Sequence, residues 1–315
     1  MEIVCRDRAT RRPGPTKTVS GSMDIMTIGI TGAGGHLGQG LLRHALARTA
    51  AANIVALTRD PGKLESFSGQ GVQVRAGDFN HAAGLPAAFA GIERLMIIPT
   101  SELGPGARTR QHTAAIRAAV AAGVRHITYI STVSPRPDPN NELLDSHFAT
   151  EQALIRSGAA WTILRMSCYA ETLVDAGKRA IASGSYAAVP GAPAAYVVRD
   201  DIAAAAAGIL TTPGHDGITY HATGPFSVSQ PEIANAISRA SGKQVSFTAL
   251  TEAEQRAGLE AAGLPPFLVN IFFGFQAALR AGAFDLVTGD IERLSGTRAE
   301  SVPDFLTRSL KNVSA

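Results

Sequence analysis

The stretch "ITGAGGHLG", residues 30–38, sets Gly32, Gly35 and Gly38 three residues apart in a turn between an apolar run and a helical pattern. Glycine weakens regular structure, so the cluster marks a place where something approaches the backbone closely. The first turn of a helix presents unpaired N–H groups, and glycines let a pyrophosphate reach them. Gly32, Ala33, Gly34, Gly35, His36, Leu37 and Gly38 are therefore candidates for a phosphate cradle. A tight turn without a ligand is the plain alternative. A strand before it, a helix after it and continued alternation beyond favour nucleotide binding.

The next apolar run ends "ALTRDPGKL", with Arg59 immediately after it and Lys63 one helical turn later. Two cations there suit a 2′-phosphate, and so NADPH, whereas NAD sites place a carboxylate at this point. Asp60 is the competing carboxylate, but it precedes Pro61, the arrangement of an N-cap followed by proline at the first helical position. The third run ends "AGDFN", where Asp78 and Phe79 are placed to face an adenine, with capping of the next helix by Asp78 or Asn80 as the alternative. The fourth ends "IIPTSE", which makes Thr100, Ser101 and Glu102 candidates for the nicotinamide side of the crevice.

The elements that must position these residues follow from periodicity. Six short apolar runs, "MTIGIT", "NIVALT", "VQVRAG", "RLMIIP", "HITYIS" and "WTILRM", alternate with longer helical patterns. Little polar alternation within the runs predicts strands buried on both faces, hence an α/β doubly wound parallel sheet of the Rossmann type. After residue 166 the rhythm loosens into a smaller, interwoven C-terminal substrate lobe. We divide the chain into a disordered basic extension (1–25), an NADP-binding Rossmann domain (26–165) and a mainly substrate-binding part (166–315), with 196–224 returning to the Rossmann core.

Composition narrows the functional classes. The 315-residue chain carries a formal charge of +3. Arg6, Arg8, Arg11, Arg12 and Lys17 against Glu2 and Asp7 account for all of it within residues 1–22, so the body shows no nucleic-acid footprint. Two cysteines, Cys5 and Cys168, suit a reducing, cytoplasmic setting and offer neither a disulfide framework nor a metal signature. The longest apolar stretch, "PPFLVNIFFGFQAAL", is shorter than the ~20 residues that cross a bilayer and contains Asn270, Gly274 and Gln276, so no membrane partner is expected. The sequence leaves oligomeric state open, a homodimer being one option.

On these residues the chain resembles the NmrA-like branch of the atypical short-chain dehydrogenase/reductase family, and within it the bacterial NADPH:quinone oxidoreductases. The resemblance rests on "GITGAGGHLG", "ALTRDPGKL", "GDFN", "TSELG", "AAGVRHITYIST", "HFATEQAL", "ILRMSCYAE", "VRDDIAAAAA" and "GKQVSFTALTEAE" in order. It implies NADP contacts from Gly32–Leu37, Arg59, the Thr100–Glu102 turn, Arg199, and the segment Ser167, Cys168, Tyr169, Ala170, Glu171 and Thr172. Where relatives carry Asn-Gly or Pro-Gly and an aromatic after "LR", this chain has Met166, Ser167 and Cys168.

Ordinary short-chain dehydrogenases use a Tyr-x-x-x-Lys pair as proton donor. Four residues after the five tyrosines, Tyr129, Tyr169, Tyr186, Tyr196 and Tyr220, stand Val133, Leu173, Pro190, Asp200 and Gly224. The pair is absent, and at its place "HFATE" sets His147 and Glu151 at the same spacing. Reduction of a simple ketone creates an alkoxide that demands a positioned acid. Reduction of a quinone creates a phenolate whose conjugate acid has a pKa near ~10, so far less acid help is needed. A site without the pair is thus suited to hydride transfer to quinones. The alternatives are another conjugated acceptor, such as an enone or dye-like cation, or a non-catalytic dinucleotide sensor that binds a regulatory protein. His147 is the candidate proton donor, with a structural hydrogen bond as its alternative role. In the C-terminal half, "PPFLVNIFFGFQAALRAGAF" predicts a helix apolar nearly all round, with Phe272 or Phe273 walling the acceptor site and plain core packing as the alternative.

Overall fold

The computed structural model describes residues 26–102, 104–139 and 141–311. The basic extension, residues 1–25, lies outside them. The strands are β1 (Ile28–Ile30), β2 (Ile54–Thr58), β3 (Gln73–Ala76), β4 (Arg94–Ile97), β5 (His126–Thr132), β6 (Ala160–Met166), β7 (Ser185–Ala188), β8 (Ile218–Ala222) and β9 (Ser246–Ala249). The helices are α1 (His36–Leu46), α2 (Glu65–Ser68), α3 (Leu85–Phe89), α4 (Ala107–Ala121), α5 (Glu142–Ile155), α6 (Thr172–Ser183), α7 (Arg199–Thr211), α8 (Gln230–Ser241), α9 (Glu252–Ala261), α10 (Pro266–Arg280), α11 (Asp290–Ser295) and α12 (Val302–Leu310).

Seven strands form one parallel sheet in the order β3-β2-β1-β4-β5-β6-β8. All six apolar runs became strands of it, and for β1, β2, β4 and β5 the reason is burial on both faces. Ile54 and Ala56 of β2 face one layer with Leu37, Leu41 and Leu42 of α1, Ile202 and Ile209 of α7, and Leu294 of α11. Val55 and Leu57 of the same strand face the other, with Phe89 of α3, Ile116 of α4 and Leu154 of α5. A strand covered on both sides has no solvent face on which to place polar residues. Each buried Leu or Ile in these layers contributes about 1.5–3 kcal/mol, which fixes the register of the sheet.

Strand order reverses between β1 and β4, both of which pair only with parallel neighbours. The crevice outside their carboxyl ends is where doubly wound folds bind ligands. A second core joins Leu173 and Ile181 of α6, Ile237 of α8, Phe284, and Phe305 and Leu306 of α12. It supports a separate parallel pair, β7 with β9, which sequence periodicity did not announce.

No helix among the described residues is long and apolar enough to cross a membrane. Among the same residues, no three His, Cys, Asp or Glu side chains group so as to hold a metal ion.

Candidate active site

The glycine turn departs from β1 with Gly32 at φ +62°, a left-handed conformation that a side chain would strain. A Cβ on Gly38 would lie 2.3 Å from the Gly32 carbonyl oxygen and 2.6 Å from the Ala33 Cα. Only glycine lets the first turn of α1 fold against its own approach loop. The cap residue of α1, Gly35, has no side chain to occupy the helix N-terminus, so that terminus faces the crevice.

That crevice is a cavity of about 470 Å³ lined by Gly32, Gly34–Gly38, Thr58–Asp60, Lys63, Gly77–Asn80, Ile98–Ser101, Gln111 and Arg199. Of the glycine-turn residues anticipated here, Ala33 does not line the cavity, being fully buried in the core. Glu102 is not among the lining residues; its carboxylate stands 4.0 Å from Arg59. The Asp60 carboxylate accepts the Gly62 N–H at 3.2 Å, capping the turn that begins at Pro61. Asp60 is thereby engaged in backbone capping, and Arg59 and Lys63 present their cations beside it. Asp78 accepts the Asn80 N–H at 2.9 Å, a bond that holds its carboxyl below the usual range.

Leu37, Ile98, Pro99 and Thr100 also line a second cavity, of about 670 Å³, that opens beside the first. Its walls include Arg108, His147, Met166–Tyr169, Thr172, Tyr186, Tyr196, Phe272, Phe275, Gln276, Leu279 and Phe284. Most of this surface is apolar or aromatic. Ser167, Cys168, Tyr169 and Thr172 thus face this second cavity, while Ala170 is fully buried behind them. Glu171 lines neither cavity; its Oε1 accepts the Arg199 N–H at 2.9 Å and so fixes the start of α7. The Arg199 guanidinium lies 4.7 Å over the Tyr169 ring, bridging the two cavities' walls. Burial pushes the Cys168 thiol up to about 12, which keeps it protonated and unreactive.

His147 lines the second cavity and is 1% exposed. Arg108 donates to its Nε2 at 3.2 Å, so its proton sits on Nδ1 and is donated to the Tyr129 hydroxyl 2.8 Å away. Burial first, then the charge of Arg108, holds the imidazole far below its ordinary pKa. Both nitrogens are engaged and the ring is neutral, an arrangement that disfavours the proton-donor role considered for it. Glu151 is also elsewhere: it forms a buried bidentate pair with Arg165 at 2.9 and 2.6 Å. The pair ties α5 to β6.

The aromatic helix, α10, divides its phenylalanines. Phe272 lines the cavity with Phe275, whereas Phe273 is 8% exposed, turned away from it and covered by the Arg256 guanidinium at 4.4 Å. Placing Phe273 on the acceptor wall is therefore corrected: neighbouring positions on a helix point about 100° apart.

Several lining residues were not anticipated. Thr58, Gln111 and Pro99 line the first cavity, and Arg108, Tyr186, Tyr196, Gln230 and Gln255 the second. Arg108 and Gln111 lie on the Ala-rich helix α4, where they resemble ordinary polar residues of an exposed face. Their burial, 6% and 8% exposed, is the only signal and it is tertiary.

Residues 32–213, more than half of the chain, match the family model described as NAD(P)H-binding. The chain belongs to the NAD(P)H-binding, NmrA-like family. Within this NAD(P)H-binding family it is 35% identical over 260 residues to quinone oxidoreductase 2 of Escherichia coli strain K12, covering 82% of this chain and 90% of that protein. The solved complex of the Escherichia coli NADPH-dependent quinone oxidoreductase with NADPH superposes with a TM-score of 0.84 at 32% identity, over 90% of this chain and 99% of that one. A triphenylmethane reductase of Citrobacter sp., solved with NADP(H), superposes with a TM-score of 0.83 at 30% identity, over 90% of this chain and all (100%) of that one.

The residues present fit the cofactor of the NAD(P)H-binding family. A Cβ on Gly34 would meet the Thr58 Oγ1 at 2.7 Å, so the cradle is shaped by missing side chains on both sides of the turn. Ser167 lines the second cavity, and its Oγ is buried with no hydrogen-bond partner among the described residues. A buried polar atom of this kind is normally satisfied, and a cofactor reaching this cavity would offer it a partner.

Proposed function

We propose that this chain is an NADPH-dependent oxidoreductase that passes hydride to a quinone or a similar flat, conjugated acceptor. One observation carries the reading: a dinucleotide cradle and an aromatic cavity share the wall Leu37, Ile98, Pro99 and Thr100. A cofactor laid along the first cavity reaches the second only there. The likeness to quinone oxidoreductase 2 of Escherichia coli supports the choice of acceptor.

NADPH, when bound, supplies the hydride. The chain's own residues do the rest. The open N-terminus of α1 receives the pyrophosphate, and Arg59 and Lys63 receive the 2′-phosphate. Thr100 is held by both of its backbone groups, since its N–H donates to His112 Nε2 at 3.0 Å and its carbonyl accepts from Arg108. The turn that flanks the reacting end of the site is thereby rigid. Phe272, Phe275, Leu279 and Phe284 enclose a flat ring and exclude water. A quinone product anion needs no Tyr-x-x-x-Lys acid, and solvent delivers its proton after release.

The test is NADPH oxidation by the full chain with a panel of benzoquinone, naphthoquinones, an enone and a triphenylmethane dye. Quinone-dependent oxidation with one NADPH consumed per hydroquinone formed is expected. Tight NADPH binding with no acceptor-dependent oxidation would overturn the proposal in favour of a dinucleotide sensor. Turnover of the dye or enone alone would move the acceptor class.

A further inference from the structure

The buried guanidinium of Arg108 is not explained by the fold. It is 6% exposed, and it donates to two neutral groups, the Thr100 carbonyl and His147 Nε2. Its Nε has no partner among the described residues. No carboxylate among those residues forms an ion pair with it. Glu142, the one acid whose field reaches it, accepts the Gly106 N–H instead, at 3.0 Å. Tyr129 and Tyr169, the other groups that act on it, are phenols that burial keeps protonated. A buried cation without a counterion is costly, and arginine cannot escape the cost by losing its proton.

The side chain also lines the second cavity next to the shared wall at Thr100. Arg108 and Arg179 are the only charged side chains among the described lining residues, none of which is an Asp or Glu. Arg179 is exposed, so Arg108 is the cation inside.

We propose that Arg108 is a catalytic residue that receives the negative charge formed on the acceptor's oxygen during reduction. The inference rests on the quinone-reductase reading above. A quinone that gains a hydride (one proton carrying two electrons) becomes a hydroquinone monoanion while NADPH becomes NADP⁺. One proton from solvent completes the hydroquinone. A fixed cation in a water-poor cavity favours the anion and the transition state leading to it, without any reorganisation at the moment of transfer. It also explains how the site dispenses with a positioned acid: charge is compensated electrostatically, not by proton transfer.

The experiment uses 4-nitrophenol as the probe, because its phenolate and phenol have different absorption spectra, and the full chain free of cofactor, so that no nicotinamide charge contributes. The wild-type protein is expected to bind the phenolate at least tenfold tighter than the phenol, and Arg179→Gln to retain that preference. Arg108→Met should abolish it, and Arg108→Lys restore part of it. With NADPH, Arg108→Met should lower quinone kcat about a hundredfold while changing NADPH Kd less than threefold. A wild-type protein that binds the phenol as tightly as the phenolate overturns the proposal without recourse to any variant. So does loss of the preference in Arg179→Gln. Phenolate preference without quinone turnover would leave the anion site standing and remove the quinone-reductase reading; quinone turnover without phenolate preference would do the reverse.

Discussion

Replacing Gly38 with alanine tests the cradle at its tightest point. The added methyl carbon would sit 2.3 Å from the Gly32 carbonyl oxygen, 2.6 Å from the Ala33 Cα and 2.9 Å from the Ala33 carbonyl carbon. Close carbon–oxygen contacts in proteins are about 3.3 Å, so the loop must retreat from α1 by about 1 Å. Everything it meets is backbone, which cannot rotate aside as a side chain would. Overpacking of this kind costs about 1–3 kcal/mol, which for a chain of this size lowers Tm by several degrees at about 2–4 °C per kcal/mol. The larger effect falls on the ligand, because the displaced N–H groups are those that face the pyrophosphate. With two or more charge-assisted bonds misaligned at about 1.5–3 kcal/mol each, NADPH Kd should rise at least a hundredfold. Isothermal titration of the folded variant measures this. Gly123→Ala is the control: Gly123 has φ +82° and nothing within 4 Å, so alanine there strains the backbone without approaching the cradle. It should cost about 1–2 kcal/mol of stability and leave Kd unchanged. A folded Gly38→Ala protein that binds NADPH within threefold of wild type would refute the assignment of this turn.

Three further outcomes are expected. Arg59→Ala should weaken NADPH about tenfold and NADH hardly at all, the lower end of the charge-assisted range being appropriate to a side chain 61% exposed; equal losses for both cofactors in titration would return the ribose to Asp60. Phe272→Ala should raise KM for naphthoquinones more than for benzoquinone at unchanged stability, while Phe273→Ala should lower stability by about 3 kcal/mol and leave the acceptor profile intact; the reverse pattern in kinetics and denaturant melts would undo the assignment of the two faces. His112, held down to about 3 by burial and by Arg108, stays neutral when the unfolded chain takes up its proton near 6.5. The unfolded state then binds the extra proton, so stability is full above about pH 6.5 and falls by about 1.4 kcal/mol per pH unit below it. In denaturant melts between about pH 6 and 5, His112→Gln should flatten that slope by this amount; an unchanged slope would contradict the neutral imidazole.

The sheet was legible in the sequence because β1, β2, β4 and β5 are buried on both faces and so appear as unbroken apolar runs. The pair β7 and β9 was not, since three of the four residues of β9 are exposed and no apolar run marks it. Asp60–Pro61 was legible as a cap because that signal is local in the chain. Arg108 was not, because its meaning lies in burial against Thr100, eight residues back, and His147, thirty-nine residues on. For α10 the phenylalanines marked an apolar helix, but a helix with little polar face gives no way to tell its cavity side from its core side. Contact with Arg256 and the cavity separates Phe273 from Phe272 only in three dimensions.

Direct hydride transfer is tested by a single turnover with NADPH deuterated in turn at each of the two hydrogens of the nicotinamide C4. The enzyme–NADPH complex is mixed with excess 1,4-naphthoquinone, and loss of nicotinamide absorbance is followed. Acceptor-dependent oxidation of one NADPH per active chain is expected, slowed severalfold by deuterium on one C4 face and unaffected by deuterium on the other. Oxidation that is insensitive to both labels, or no oxidation by a protein saturated with NADPH, would contradict direct hydride transfer.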